Sequence, residues 1–302
     1  MNIENVSTLF DRHYKSVYAQ CLEKSATQKG GIDRLTDGLK VGLNLIGGRP
    51  GMGCSTLAVS MAMNLAQKDR RVLYCSHPQH QIGKIVVRYC SSMSSIDFFI
   101  TNPSKEDKKL INESIEFSKK MHQTCIFGDM TNFNNFSMLE LLKELKDLRL
   151  EYLFIDCIQD IIVDSKITNG LTTEEYICRE LRELAFLLNI PIVAIARLNR
   201  FPEERGGVIG KIPQLGDFWG EELPAYSANV YFPFRPEYYG IYNDERTGFD
   251  IRGKMYVYVQ GRPDVKEDKI ELTFDYEKGI VYDEKNEPIH YVEDKENSVK
   301  RT

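Results

Sequence analysis

The chain begins with a segment in which apolar residues recur every three or four positions. Between residues 5 and 24 these residues are Val6, Leu9, Phe10, Tyr14, Val17, Tyr18 and Cys21. The spacing is typical of one apolar helix face, so we predict an amphipathic helix within residues 1–24. The apolar face could pack on its own domain or on a neighbouring subunit, because the glycine-containing connector that follows permits either arrangement.

From residue 43 onward, short apolar runs alternate with helical patterns. The runs predict strands at 43–47, 72–76, 123–127, 151–156 and 190–196. The intervening patterns predict helices at 55–68, 82–95, 105–121, 137–148 and 174–189. This alternation is typical of an α/β fold, in which a mainly parallel, twisted sheet carries helices on both faces.

The pattern changes beyond residue 225, where three short β-type runs follow: NVYFPF, KMYVYVQ and KIELTFD. They predict antiparallel strands added at one edge of the sheet. Residues 284–302 are mostly charged and polar, which predicts a frayed tail. We therefore expect helix 1–24, one α/β domain over 25–283, and the tail.

Composition excludes several protein classes. Hydrophobic residues make up 42% of the chain and charged residues 27%, as in soluble proteins, and no run approaches the roughly 20 apolar residues of a spanning helix. The N-terminus lacks the pattern of a secretory signal, so we expect a cytoplasmic protein without membrane contact. The net charge of -5 shows none of the basic excess that usually accompanies nucleic-acid binding, so any DNA site must be local.

The segment GGRPGMGCST, between a predicted strand and a predicted helix, has the features of a phosphate-binding loop. Gly48, Gly51 and Gly53 allow backbone N–H groups to close around phosphate oxygens, and the helix points its positive end at the anion. Compared with the pattern G-x-x-x-x-G-K-S/T, the match fails only at Cys54, which replaces the lysine. A thiol cannot supply the positive charge that holds the β- and γ-phosphates.

A second half of such a site lies about a hundred residues downstream. The run EYLFIDCIQ is an apolar strand that ends in Asp156, where a carboxylate would hold Mg²⁺ through water. Ser55 retains the hydroxyl that the loop pattern uses for the same ion. An aspartate at a strand end is commonplace, so the conjunction of the two segments carries the prediction.

These segments resemble the motor domain of DnaB-type hexameric replicative helicases. The family's loop pattern is x-G-R-P-x-M-G-K-S/T-S/T, FIDCIQ resembles its I-D-Y-L-Q strand, and the run ending ARLNR resembles its strand ending S-Q-L-N-R. The resemblance covers residues 30–275 and implies a RecA-like P-loop NTPase fold. The family's separate N-terminal helical domain has no counterpart here, and helix 1–24 stands in the place of its linker helix.

The resemblance implies ATP and Mg²⁺ as cofactors. It assigns the nucleotide to the residues from Gly48 to Thr56, namely Gly48, Arg49, Pro50, Gly51, Met52, Gly53, Cys54, Ser55 and Thr56, and it assigns Mg²⁺ to Ser55 and Asp156. It also implies a ring in which an arginine of one subunit completes the neighbouring site.

Three charge-handling positions of the family are changed. The catalytic glutamate falls on Pro78, the glutamine that senses the γ-phosphate falls on Arg197, and the trans-acting lysine falls on Gln260. The arginine finger is implied at Arg262. Arg262, Arg197 and Gln159 therefore remain as the candidate catalytic residues, and we expect weak or lost hydrolysis.

The stretch 200–222 corresponds to loops that face DNA in the family. It offers Arg200, Arg205 and Lys211 but also several carboxylates, so a solvated loop is favoured over DNA contact. Trp219 stands where the family has arginine. We expect it to anchor the loop to the core, with a base-stacking platform as the alternative.

Three hypotheses follow. The first is a non-motor binding or regulatory module in DNA replication, which assembles with itself or with a true helicase. The second is an active ATP-dependent helicase in which Arg197, or less well Arg49, replaces the lysine. The third is a structural or partner-binding protein that binds no nucleotide. For the first, we expect assembly contacts through Val6, Phe10, Tyr14 and Val17.

Overall fold

The computed structural model describes most of the predicted α/β domain. The described residues are 3–5, 31–77, 104, 105, 109, 112, 125–135, 138–220, 222–261, 268–275 and 280–282. Predicted features outside them are residues 6–24 of the N-terminal helix, helix 82–95, most of helix 105–121, Pro78, Arg262 and the tail 284–302. These features remain predictions.

The described strands number ten and join one sheet. They are β1 (Ile3–Asn5), β2 (Gly42–Gly48), β3 (Val72–Ser76), β4 (Cys125–Asp129), β5 (Tyr152–Asp156), β6 (Pro191–Arg197), β7 (Ser227–Phe234), β8 (Lys254–Gly261), β9 (Asp268–Asp275) and β10 (Ile280–Tyr282). Their order across the sheet is β1-β4-β3-β5-β6-β2-β7-β8-β9-β10. The described helices are α1 (Gly31–Asp37), α2 (Cys54–Gln67), α3 (Met138–Asp147), α4 (Thr173–Leu188), α5 (Phe201–Glu204) and α6 (Gly207–Gly210).

The centre of the sheet is parallel, from β4 through β3, β5, β6 and β2 to β7. The strands predicted at 43–47, 72–76, 151–156 and 190–196 are confirmed to within one residue at each end, and the strand predicted at 123–127 lies at 125–129. The fold class is therefore the predicted one, a mixed α/β domain with a mainly parallel sheet. None of the described helices has the length and apolar character that crossing a membrane requires.

The C-terminal strands extend one edge of the sheet, as predicted, but the first of them differs in direction. β8, β9 and β10 are antiparallel to their neighbours, whereas β7 runs parallel to β2 and antiparallel to β8. The reason is the connection, because a turn at Leu223–Tyr226 brings the chain back to the end of the sheet where β2 begins. β7 therefore joins the parallel and antiparallel halves.

Residues 3–5, the described part of the N-terminal segment, are not helical. Ile3–Asn5 form β1, which pairs antiparallel with β4, so the helix predicted within residues 1–24 does not include these three residues. β4 would otherwise be an edge strand, and pairing satisfies backbone groups that helix periodicity does not take into account.

Two helices, α2 and α4, cover the two faces of the sheet, and they differ in how their ends are capped. α2 covers one face of the sheet, and eleven consecutive residues of this helix are buried. Its N-cap is Gly53, which has no side chain to cap the helix. α4 covers the other face; its capping box pairs the Thr172 side chain with Glu175, and Asn189 ends it in the left-handed conformation. The N-terminus of α2 is thus left to other partners.

Candidate nucleotide site

The phosphate-loop sequence forms a tight turn between β2 and α2. Its backbone adopts φ of 87° at both Gly51 and Gly53, which side chains other than glycine rarely adopt. The N–H of Met52 donates to the carbonyl of Arg49 at 3.1 Å, and the N–H of Leu57 donates to the carbonyl of Gly53 at 2.8 Å. The first N–H groups of α2 are thereby oriented as donors for an anion.

The C-terminal strands hold this loop from one side. A Cβ built on Gly53 would lie 2.7 Å from Met255 Cε and 2.9 Å from Phe274 Cε2. On Gly51 it would lie 2.5 Å from Tyr238 Cε2, and Arg235 Nη1 donates to the Gly51 carbonyl at 3.0 Å. The loop conformation is therefore fixed by packing as well as by its own glycines.

Cys54 begins α2, and its side chain turns back toward the end of β2. A Cβ built on Gly48 would lie 2.3 Å from Cys54 Sγ. Burial, followed by the charge of Asp156, raises the pKa of the Cys54 thiol from 9.0 to about 12. The thiol is therefore neutral at physiological pH and contributes neither a positive nor a negative charge to the loop.

Asp156 ends β5, and β6 lies between that strand and β2. Asp156 nevertheless acts on Cys54 electrostatically, and its Oδ2 accepts a hydrogen bond from the Tyr74 hydroxyl at 3.0 Å. The carboxylate thus lies on the α2 face of the sheet, toward the loop.

The remaining loop residues divide between exposed and packed positions. Pro50 is exposed, Ser55 is half-buried, and Met52 and Thr56 are buried. Arg49 points away from the loop, since its Nε donates to Glu203 at 2.8 Å and its Nη1 donates to the Leu198 carbonyl at 2.9 Å. Ser55 is thus a partly exposed loop side chain in the first turn of α2, where the sequence predicts a ligand.

Arg197 and Gln159 contact each other at the carboxyl ends of β5 and β6. The Arg197 N–H donates to Gln159 Oε1 at 3.0 Å, and Gln159 Nε2 donates to the Arg197 carbonyl at 3.4 Å. The Arg197 guanidinium pairs with Asp160 through contacts of 3.0 and 3.1 Å. Both candidate catalytic side chains are thus engaged with their neighbours on the sheet.

The loop after β6 uses its charges internally. Arg205 Nη2 pairs with the buried Asp217 at 2.7 Å, and Lys211 Nζ donates to the Glu203 carbonyl at 2.5 Å. The expectation that Trp219 anchors this loop is wrong, because Trp219 is 55% exposed, whereas its neighbour Phe218 is buried against Phe232. Phe218 forms an isolated β-bridge with Leu198, whereas Trp219 lies in the bend that follows it.

Sequence reasoning missed several side chains around Asp156, Arg197 and the loop. They are Tyr74, Ser76, Asp160, Tyr238 and Arg235. Tyr74 and Ser76 alternate on a predicted strand, which is the pattern that would have placed them on one face. In the part of the chain that the structure describes, no group of three or more His, Cys, Asp or Glu residues could hold a metal ion.

The family of DnaB-like helicase C-terminal domains matches residues 26–279. The chain belongs to this family. Among curated relatives, the probable plasmid replicative DNA helicase of Chlamydia trachomatis serovar L2 is 30% identical over 178 residues, which cover 57% of this chain and 38% of that protein. The replicative DNA helicase DnaB of Helicobacter pylori is 29% identical over 199 residues, 64% of this chain and 40% of that protein. The chain spans less than half the length of these two relatives.

Solved structures show the same fold. A DnaB-like replicative helicase, described with its interactions with primase, superimposes with a TM-score of 0.69 at 19% identity over 91% of this chain and 65% of that one. A solved ATPase domain superimposes with a TM-score of 0.63 at 17% identity over 92% of this chain and 98% of that one. At these identities the likeness concerns the fold, which is the predicted RecA-like one.

Proposed function

We propose that this chain is a non-motor member of the DnaB-like helicase family, which binds ATP weakly and serves as a binding or regulatory module in cytoplasmic DNA replication. The observation that carries the proposal is Cys54. Its thiol stands where the loop pattern has lysine, and burial together with Asp156 keeps it neutral. A neutral group there removes the charge that holds the β- and γ-phosphates.

The backbone of the site supports retained binding of the nucleotide. Glycines at φ of 87° shape the loop, and the uncapped N-terminus of α2 offers N–H donors and a positive dipole end. The cradle thus fits a phosphate, with Gly48 to Thr56 around it. Ser55 and Asp156 are the residues that would hold Mg²⁺, which would screen the phosphate charge when bound.

The charged side chains argue against a motor. Arg197, the first candidate to replace the lysine, pairs with Asp160, and Arg49, the second, pairs with Glu203. Each guanidinium therefore already has a carboxylate partner in this structure. An active helicase would have to break one of these pairs at every turnover, so the active alternative is second to the non-motor proposal.

We propose that this domain functions by assembling with other subunits. One similar solved structure is a DnaB-like replicative helicase described with its interactions with primase, and two similar curated proteins are replicative helicases. We propose a homo-oligomer or a mixed assembly with a true helicase, in which Arg262 would complete a neighbouring site, as the family resemblance implies. Contacts to DNA are weakly supported, because Arg205 and Lys211 are engaged within the loop.

The deciding experiment measures ATP affinity by calorimetry, with and without Mg²⁺, and phosphate release with and without single-stranded DNA. We expect weak, Mg²⁺-assisted binding and no DNA-stimulated release. Turnover at motor rates, about 1–100 per second, would favour the active helicase. No binding at millimolar ATP would favour the structural alternative.

A further inference from the structure

A cavity of about 220 Å³ lies at the end of the sheet where β2 and β7 begin, beside the last turn of α4. The phosphate loop follows the other end of β2. The cavity is lined by Lys40, Val41, Gly42, Leu43, Arg182, Phe186, Tyr226 and Ala228. Sites for drug-sized ligands usually measure about 300–1,000 Å³. This cavity is smaller, and its size suits one side chain.

Two irregularities of the backbone form the base of the cavity. The register between β2 and β7 shifts by one residue after Leu43, which leaves Ala228 as a bulge residue outside the ladder. Gly42 has φ of 120°, and a Cβ built on it would lie 3.7 Å from Phe186 Cζ and 3.8 Å from Ala228 Cβ. These two small residues leave the space beside the Phe186 ring open, and bulges of this kind recur next to functional sites.

One wall of the cavity combines an aromatic ring with a guanidinium group. Phe186, in the last turn of α4, is 51% exposed. Arg182 lies one turn earlier, and its Cζ is 5.6 Å from the centre of the Phe186 ring. Arg182 is half-buried and forms no ion pair with a carboxylate in the part of the chain that the structure describes. The wall therefore offers an apolar surface and a donor that a carboxylate can accept from.

The charge of the lining is opposite in sign to that of the whole chain. Lys40 and Arg182 are the charged residues among the described residues that line the cavity, and none of the lining residues carries a carboxylate. The backbone of Lys40 is fixed by Asn44, whose Nδ2 donates to the Lys40 carbonyl at 2.9 Å. The chain as a whole has a net charge of -5. Complementarity of charge therefore predicts an acidic occupant.

Exposed apolar side chains continue beyond the cavity. Val41 lies on one side of it, and Leu187 follows Phe186 in the last turn of α4; both are exposed. An exposed apolar rim around a small pocket is typical of a protein interface, in which one inserted side chain contributes much of the affinity. A free small acid would leave the rim uncovered. A DNA strand needs a row of cations along its backbone, whereas two cationic residues line this cavity.

We propose that this cavity docks an acidic segment of a partner protein, which inserts one aromatic side chain beside Phe186 and places a neighbouring carboxylate on Arg182. The inference rests on the proposed function, because a binding module needs a surface for its partner, and it names that surface and the chemistry of the partner. The cavity and the phosphate loop are separated by the length of β2, about 20 Å. Partner and nucleotide can therefore bind at the same time.

Calorimetry with the full chain and synthetic peptides tests the proposal. The probe is the peptide acetyl-GDEFEDG-amide, and it is compared with acetyl-GDEAEDG-amide, which lacks the ring, and acetyl-GNQFQNG-amide, which lacks the carboxylates. We expect a dissociation constant below about 1 mM for the probe and at least about fivefold weaker binding of the other two peptides. Equal affinity of the three peptides, or no binding of the probe at millimolar concentration, would overturn the proposal.

Two variants and a matched control locate the binding. Arg182→Gln removes the guanidinium and Ala228→Leu fills the cavity, so each should weaken probe binding about fivefold or more and leave ATP affinity unchanged. Arg179→Gln is the control, because Arg179 lies on the same helix but pairs with Glu180 and does not line the cavity. Thermal midpoints of Arg182→Gln and Arg179→Gln, compared with the parent, check that both variants fold. Equal losses of probe affinity in these two variants would contradict the site.

Two further comparisons separate this inference from the other possibilities. If oligothymidine binds with an affinity that falls in Arg182→Gln, while the probe peptide does not bind, the occupant is DNA and the proposal is overturned. Weak ATP binding without probe binding would likewise overturn the docking site, but it would leave the proposed function standing. Probe binding that responds to the variants, in a chain that hydrolyses ATP at motor rates, would support the docking site and contradict the non-motor function.

Discussion

The phosphate loop and the carboxyl ends of β5 and β6 have changed in opposite ways. The loop has an uncharged thiol at Cys54, where the phosphate-loop pattern has lysine, and the end of β6 has a guanidinium at Arg197, where the family resemblance implies glutamine. The thiol is neutral, and the guanidinium is held by Asp160. The two changes do not compensate, because the gained charge is already paired while the lost one leaves Asp156 opposite a thiol.

The comparison indicates that the backbone conformation of a phosphate loop can be kept while the charged side chains of the site differ. The loop keeps its glycine conformations because Met255, Phe274 and Tyr238 pack against them. These contacts contribute to folding whether or not a nucleotide binds. These contacts are made to Gly51 and Gly53 and not to residue 54, so they do not require a lysine there.

The largest expected effect concerns the Cys54 thiol itself. Only the thiolate reacts with iodoacetamide, and a rise in pKa from 9.0 to about 12 lowers the thiolate fraction about a thousandfold at pH 8. We expect Cys54 in the folded protein to be labelled at least that much more slowly than in denaturant, with mass spectrometry following its peptide.

The pH dependence of labelling and of stability follows from the same raised pKa of the Cys54 thiol. Because the folded pKa is raised, the neutral thiol dominates below pH 9 in both states. The labelling rate should rise about tenfold per pH unit in both states, and it should level off near pH 9 in denaturant but only near pH 12 in the folded protein. Stability from this group is fully present below pH 9 and is lost between pH 9 and 12. Rapid labelling of Cys54 at pH 8 would refute a desolvated thiol and, with it, the contrast to Arg197.

The second prediction tests whether the loop is held by packing. Gly53 and Gly170 have nearly equal φ, 87° and 85°, but a Cβ would collide only at Gly53. Gly53→Ala should therefore lower the free energy of unfolding by about 2–4 kcal/mol, and Gly170→Ala by about 1 kcal/mol. Urea unfolding measures both. Equal losses would show that the C-terminal strands do not constrain the loop.

The sequence predicted the positions of the central strands, but it did not predict the direction of β7 or the presence of β1. Buried parallel strands are continuous apolar runs bounded by turn residues, so their positions can be read locally. The direction of β7 and the pairing of β1 depend on which edge the chain returns to. No local pattern carries that information; the direction of β7 differed from the prediction, and β1 was not predicted.

The site shows the same division. Cys54 and Asp156 are visible in motifs, because each stands at a fixed position in a strand-turn-helix or strand-end pattern. The bonds of Tyr74 to Asp156 and of Arg197 to Asp160 join residues 82 and 37 positions apart. They follow from the register between neighbouring strands, which is settled only when the sheet forms.

The third prediction restores the lost cation. Cys54→Lys should tighten ATP binding about tenfold to a hundredfold, as expected for a charge-assisted hydrogen bond, with little turnover. Cys54→Met is the matched control, because methionine is nearly as long as lysine but uncharged. Combining Cys54→Lys with Pro78→Glu should raise phosphate release further. Equal affinity in the Lys and Met variants would show that charge is not what the loop lacks.

The smallest expected effect comes from removing the carboxylate partner of the Arg197 guanidinium. Asp160→Asn removes the carboxylate partner of Arg197, which is 44% exposed and therefore well screened by water. We expect ATP affinity to rise by no more than about threefold, measured by calorimetry. Arg197→Gln should leave the affinity unchanged in the parent chain and cancel the gain in the Asp160→Asn background. If Arg197→Gln alone weakens binding about tenfold or more, Arg197 already serves the nucleotide, and the second hypothesis, an active ATPase with a substitute cation, would displace the non-motor proposal.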